Sequence, residues 1–263
     1  MRDDYESATN ALIGVKTEES NAFLATDKDN IFKAVEASIG FQKLNSMVND
    51  QMRLWFVQQG TRAVQQLEAS GTDLSEDTEF AASCGQLGNM LYGFGQHELA
   101  LELFAKALRI KQKVLGEDHP STASTYNNMA NVYQTQGKHE LALEYHTKDL
   151  RITQKVHGED HPDTATTYSG MAMVYQAQSK HELALEYYAK DLHIVQKVHG
   201  EDHPDTATTY HNMANVYQAQ GKHELALELF AKALRIYRKE LGEDHPLTQL
   251  IGRNIKRVKN HLA

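Results

Sequence analysis

Cysteine is almost missing from this chain of 263 residues: Cys84 stands alone, so neither an intrachain disulfide nor a cysteine-built zinc site can form. Positive charge is outnumbered, with 27 Lys and Arg against 35 Asp and Glu and a formal charge of -8. That balance argues against nucleic acid or an anionic membrane as the main partner, since both reward a concentrated positive surface. No apolar run approaches the ~20 residues that span a bilayer, and the opening MRDDYESATNALIGV begins with acids and has no apolar signal core. The expected setting is cytoplasmic and reducing. Proline is scarce too, and its four occurrences, at 120, 162, 204 and 246, are spaced by 42 residues.

That spacing belongs to an internal repeat. GEDHP begins at Gly116, Gly158, Gly200 and Gly242, and the twelve letters HGEDHPDTATTY occur verbatim from His157 and again from His199. Residues 158–199 and 200–241 match at thirty of 42 positions, and 116–157 follows the same template. Residues 74–115 form a fourth, diverged unit with LSEDT in place of GEDHP but with GQHELALELFAKALRI in the later half. Atypical first and last units are expected of the ends of a repeat array.

Each unit reads as two helices. Proline suits the first position of a helix, and the acids beside it favour the positive helix end, so GEDHP marks a helix start. Ala123, Tyr126, Met129, Ala130 and Tyr133 then recur at three- and four-residue steps. Gly137 permits a turn, with Ser179 at the equivalent place one unit on. The second helix carries Leu141, Ala142, Leu143, Tyr145, Leu150, Ile152 and Val156 among charged residues. One such pair cannot bury its apolar faces alone, whereas stacked neighbours can. The expected architecture is therefore an all-α solenoid.

Small residues at Gly88, Ala130, Ala172 and Ala214, tyrosines at 133, 175 and 217, and alanines at 100, 142, 184 and 226 resemble the tetratricopeptide repeat. The 42-residue period and the string GEDHP…NNMANVY…GKHELALE are similar to the kinesin light chain variety. The resemblance covers residue 74 to about residue 263 and implies a right-handed α-solenoid of stacked helix-turn-helix units with helical N- and C-terminal caps. It gives four units, 74–115, 116–157, 158–199 and 200–241, between a segment 1–73 and a closing helix 242–263. Residues 1–73 hold no counterpart of the light chain's heptad coiled coil, so motor binding is not carried over. The departures are Leu91 for Tyr, Ser179 for Gly, and Asp149 and Asp191 where a packing alanine is usual. A dry aspartate is costly, so each is expected to find a hydrogen-bond donor.

Catalytic and metal signatures fare poorly. His157, Glu159, Asp160 and His161 could ligate a metal, but leucine fills the place of His157 at Leu115 and Leu241, which points to packing. His161 precedes proline at a helix start, where a side-chain cap is expected. HELALE misses the zinc-protease spacing, since the next histidine after His139 and Glu140 is His146. GQLGNMLYGFG follows no strand and sets Gly88 and Gly95 at packing and turn positions, and GKH at Gly137 lacks the rest of a phosphate loop. No enzyme, no metal and no cofactor are expected.

In tetratricopeptide arrays the first helices line a concave groove, and the resemblance places Gln86, Asn89, Tyr92, Asn128, Asn131, Gln134, Asn212, Asn215 and Gln218 there. Asn and Gln present donors and an acceptor together, so a row of them can pair with the backbone of an extended peptide whatever its side chains. A competing reading is that these are solvated polar positions. Light chains use basic groove residues for acidic cargo peptides, whereas this groove is nearly neutral. The third unit reads Ser169, Gly170, Met173 and Gln176, and the loss of two amides there would open a small apolar pocket, with drift among redundant repeats as the alternative.

Thr26–Gly40 is expected to be a short helix and Ser46–Leu67 a longer one bent near Gly60. They would cap the first unit or, through MRLWF, meet a partner or a second copy; monomer and homodimer both stay open. Leu247, Leu250, Ile251, Ile255, Val258 and Leu262 form an apolar stripe opposite Arg253, Lys256, Arg257 and Lys259, a basic face read as solvated rather than as a nuclear address. Two functions follow as expectations: an adaptor that binds a peptide or protein segment in its groove, or a self-assembling structural module joined through the N-terminal helices.

Overall fold

The computed structural model describes residue 55 and residues 57–71 and 73–262, and the chain divides into two compact units, 1–71 and 72–263. The helix expected at Thr26–Gly40 and the first part of that at Ser46–Leu67 lie outside the described residues. In the first unit, residues 57–69 are helical without a break at Gly60, where a bend was expected. A helical glycine costs about 1 kcal/mol of propensity but does not by itself bend the helix.

The second unit is built of helices in chain order: α1 Thr78–Gly93, α2 His97–Leu115, α3 Pro120–Thr135, α4 His139–His157, α5 Pro162–Ala177, α6 His181–His199, α7 Pro204–Ala219, α8 His223–Leu241 and α9 Pro246–Leu262. The described residues contain no strand. Each helix packs on the helices before and after it in sequence, and α3 also touches α1 and α5. This is the all-α solenoid expected from the period.

The GEDHP echo is a unit of construction. Its glycine adopts positive φ, between 89° and 95° at Gly116, Gly158, Gly200 and Gly242, a region closed to most side-chain-bearing residues. Its carbonyl accepts a hydrogen bond from the threonine hydroxyl six residues on, at 2.8 to 3.0 Å for Thr122, Thr164, Thr206 and Thr248. The histidine caps the next helix: His119, His161 and His203 Nδ1 accept from the backbone N–H two residues later at 3.1 to 3.2 Å. Proline follows at the first helical position, where its missing N–H leaves nothing unpaired. The motif's aspartate pairs with a lysine near the end of the same unit's second helix, Asp118 with Lys155, Asp160 with Lys197 and Asp202 with Lys239.

Inside each unit the two helices turn on a residue in the left-handed region, Gly95, Gly137, Ser179 or Gly221. The chain closes there as a Schellman turn, with Lys138, Lys180 and Lys222 N–H donating to Tyr133, Tyr175 and Tyr217 carbonyls at 2.9 Å. The helices approach closely because Ala100, Ala142, Ala184 and Ala226 are fully buried; Ala184 shares a core cluster with Tyr188 and Ala226 with Phe230. At the far end Ile251 and Val258 of α9 are completely covered, while Leu247 and Leu262 at the ends of the expected stripe stay exposed. Arg253, Lys256, Arg257 and Lys259 all face solvent.

Ser179 has a φ of 58°, and a Cβ in that region costs about 1 kcal/mol. Ser179→Gly is expected to raise stability by roughly that amount, seen as a higher thermal midpoint with unchanged helicity.

Candidate functional site along the first helices

The first helix of each unit positions the amide row. α1 carries Gln86, Asn89 and Tyr92, α3 carries Asn128, Asn131 and Gln134, α5 carries Ser169, Met173 and Gln176, and α7 carries Asn212, Asn215 and Gln218. Their three- and four-residue steps put each trio on one face of its helix. On α1, Gln86 and Asn89 are exposed and Tyr92 is half-buried, its hydroxyl 3.0 Å from Thr135 Oγ1 of α3. Asn128, Asn131, Asn212 and Asn215 are half-buried, and among the described residues their side-chain amides have no hydrogen-bond partner. Gln176 and Gln218 are already engaged: Tyr188 OH donates to Gln176 Oε1 at 3.2 Å and Arg257 Nη2 to Gln218 Oε1 at 3.4 Å.

The third unit departs from the expected pocket. Gly170 is buried, and a Cβ placed on it would lie 2.5 Å from His146 Cε1. The room left by the missing side chain is therefore taken up by the imidazole of the preceding unit, not left open as an apolar cavity. His146 occupies the register of Phe104, Tyr188 and Phe230, is fully buried, and leaves both ring nitrogens without a partner. Burial pushes its pKa down to about 4, so it packs as a neutral ring. Met173, by contrast, is 45% exposed.

Between α3 and α5, with α4 behind them, lies a cavity of about 110 Å³ lined by Asn128, Asp149, His157 and Asp163 among others. One unit on, a cavity of about 250 Å³ is lined by Ser169, the counterpart of Asn127, and by the equivalent Asp191, His199 and Asp205. Asp149 and Asp191 are nearly fully covered, and each has found the expected donor: Thr167 Oγ1 at 2.6 Å and Thr209 Oγ1 at 2.9 Å. Burial still dominates. It raises Asp149 to about 7 and Asp191 to about 6, against the opposing effect of the threonine hydroxyls, with Asp163 and Asp205 adding like-charge repulsion. At the first junction alanine stands at 107, and Thr125 Oγ1 instead meets Lys111 Nζ at 2.9 Å.

With this geometry in place, comparison with known proteins is specific as to family. A family model described as tetratricopeptide repeat matches residues 78–152, 122–192, 165–239 and 205–249. A crystal structure of the nearly identical TPR-like repeats assigned to a kinesin light chain of Podosopora anserina is similar, with 27% identity over 68% of this chain and 85% of that one and a TM-score of 0.59. BtubC (BKLC) from P. vanneervenii shares the fold at 18% identity over 81% of this chain and 92% of its own, with a TM-score of 0.54. No curated protein matches the chain at a significant level.

Two outcomes follow from the packing. The unfolded Asp149 titrates near 3.8 and the folded one near 7, so the folded state holds a proton that the unfolded chain has released, and stability falls as pH rises across that interval. Asp149→Asn is expected to gain roughly 2 kcal/mol at pH 8 and almost nothing at pH 4, read by thermal denaturation at both. Gly170→Asn, which installs the residue of the neighbouring units, is expected to cost roughly 2 kcal/mol by overpacking against His146. Met173→Asn should stay within about 0.5 kcal/mol, both compared by urea midpoint.

Proposed function

The chain belongs to the tetratricopeptide repeat family, and on that premise we propose that it is an adaptor whose amide row binds an extended peptide or protein segment. Repeats of this kind mediate protein–protein interaction, and such proteins are typically non-enzymatic scaffolds. The observation that carries the finer reading is the recurrence of unpartnered, half-buried amides at Asn128, Asn131, Asn212 and Asn215. A half-buried amide with no internal partner has its donors and acceptor ready for an incoming backbone, and pairing it there costs little reorganisation. The near-neutral row favours main-chain recognition over a charge-selected ligand. Tyr92, Gln86 and Asn89 would extend the contact along α1, and Gln134, Ser169, Met173, Gln176 and Gln218 would complete it.

Selection of peptides from a random display library against the full chain is expected to enrich binders. Asn131→Ala combined with Asn215→Ala should then weaken the selected peptides tenfold or more, from about 1 kcal/mol for each lost hydrogen bond, while the thermal midpoint is kept. Equal affinity for the intact and doubly substituted proteins would remove the proposal.

A further inference from the structure

Outside the amide row, one side-chain constellation occurs twice, 42 residues apart. Where α4 meets α5, His157 Nε2 and His161 Nδ1 each lie 3.6 Å from Asp163 Oδ2, and the two imidazoles stack with centroids 4.3 Å apart. Where α6 meets α7, the corresponding distances from Asp205 Oδ2 are 3.7 Å to His199 Nε2 and 3.4 Å to His203 Nδ1, with centroids at 4.5 Å. In both sets the three donor atoms lie within 4.8 Å of one another. Donors held tetrahedrally at zinc-ligand distances are about 3.4 Å apart, so each set needs only a small inward rotation of its imidazoles to enclose an ion.

The make-up of the junctions sets these residues apart from the rest of the motif. The capping histidine is present at 119, 161, 203 and 245, but the second histidine and the aspartate come and go together. Leu115 accompanies Ser121 and Leu241 accompanies Leu247, whereas His157 accompanies Asp163 and His199 accompanies Asp205. Packing explains leucine in place of histidine, yet it gives no reason for the carboxylate to change with it. The cavities described above supply a second, independent observation: each is lined by the histidine and aspartate of its set and also by a buried carboxylate, Asp149 or Asp191. The exposed carboxylate of Asp163 or Asp205 brings the negative charge that favours a cation at the mouth of each cavity, beside the imidazole of His157 or His199.

We propose that each of these two junctions binds one divalent transition-metal ion, through His157, His161 and Asp163 in the first and His199, His203 and Asp205 in the second. Two imidazoles and a carboxylate select an ion of the Zn2+, Co2+ or Ni2+ type over Mg2+ or Ca2+, which prefer oxygen donors. The ion ties the last residue of one unit's second helix to the first turn of the next unit, and so stiffens the step between repeats. Ligation through Nδ1 of His161 or His203 displaces the cap hydrogen bond from the backbone of residue 163 or 205, a helix-end N–H that water can satisfy.

The test titrates the chelator-stripped full chain with ZnCl2 by calorimetry and with Co2+ by visible absorption. Two equivalents per chain are expected, with a raised Tm and ligand-field bands of nitrogen and oxygen donors. His157→Leu with Asp163→Ser, the residues of the first junction, should remove one equivalent and His199→Leu with Asp205→Ser the other, each keeping the Tm measured in chelator. If either pair loses helicity, Asp163→Asn and Asp205→Asn preserve shape and should weaken Zn2+ at least tenfold. Two equivalents retained after both sites are replaced, or no saturation below millimolar Zn2+, overturns the proposal.

Discussion

The turn between units is the constraint on which the stack depends. A glycine at positive φ, a threonine hydroxyl closing onto its carbonyl, a histidine cap and a proline at the first helical position together set the direction in which each new helix leaves. None of these contacts is strong alone; a neutral hydrogen bond nets about 1 kcal/mol. Their effect comes from repetition. Because the same turn recurs every 42 residues, each unit is laid on the previous one with the same step, and a solenoid results.

On that constant frame the junctions differ in what they bury. Lys111 meets Thr125 at the first, Asp149 meets Thr167 at the second, Asp191 meets Thr209 at the third, and Ile251 closes the fourth. The threonine hydroxyl is a tolerant partner, since it donates to a carboxylate or accepts from an ammonium by rotating. The frame can absorb such variation because stability in a repeat array is a sum of local terms, and a costly aspartate at one interface leaves the others untouched. The same logic covers His146. A neutral imidazole fills the register of a phenyl ring, and the unit that receives it has a glycine at 170 to make room.

Exposed ladders run beside this core. Gln136, Gln178 and Gln220 donate to Glu98, Glu140 and Glu182 one unit back, and the lysines at 155, 197 and 239 hold the aspartates of the preceding turn. Pairs of this kind at the surface are worth well under 1 kcal/mol each. The glutamine pairs set the register between units and the lysine pairs tie each unit's first turn to its second helix, and both leave the asparagines of α3 and α7 as polar groups on those helices that the fold does not use.

The period, the two helices of each unit, the capped starts and the glycine turns were all legible in the amino-acid order, because they rest on contacts between residues a few positions apart. The need of Asp149 and Asp191 for a donor was legible too, but not the identity of Thr167 and Thr209, which lie on the following helix. Only the tertiary structure decided that Gly170 is filled by His146 rather than open, and that Asp163 joins His157 and His161 when Glu159 and Asp160 do not. The physical reason is the same in each case. Local order sets where a helix starts and which face is apolar, whereas the rotation of one helix against the next, settled by packing across the interface, selects which side chains meet.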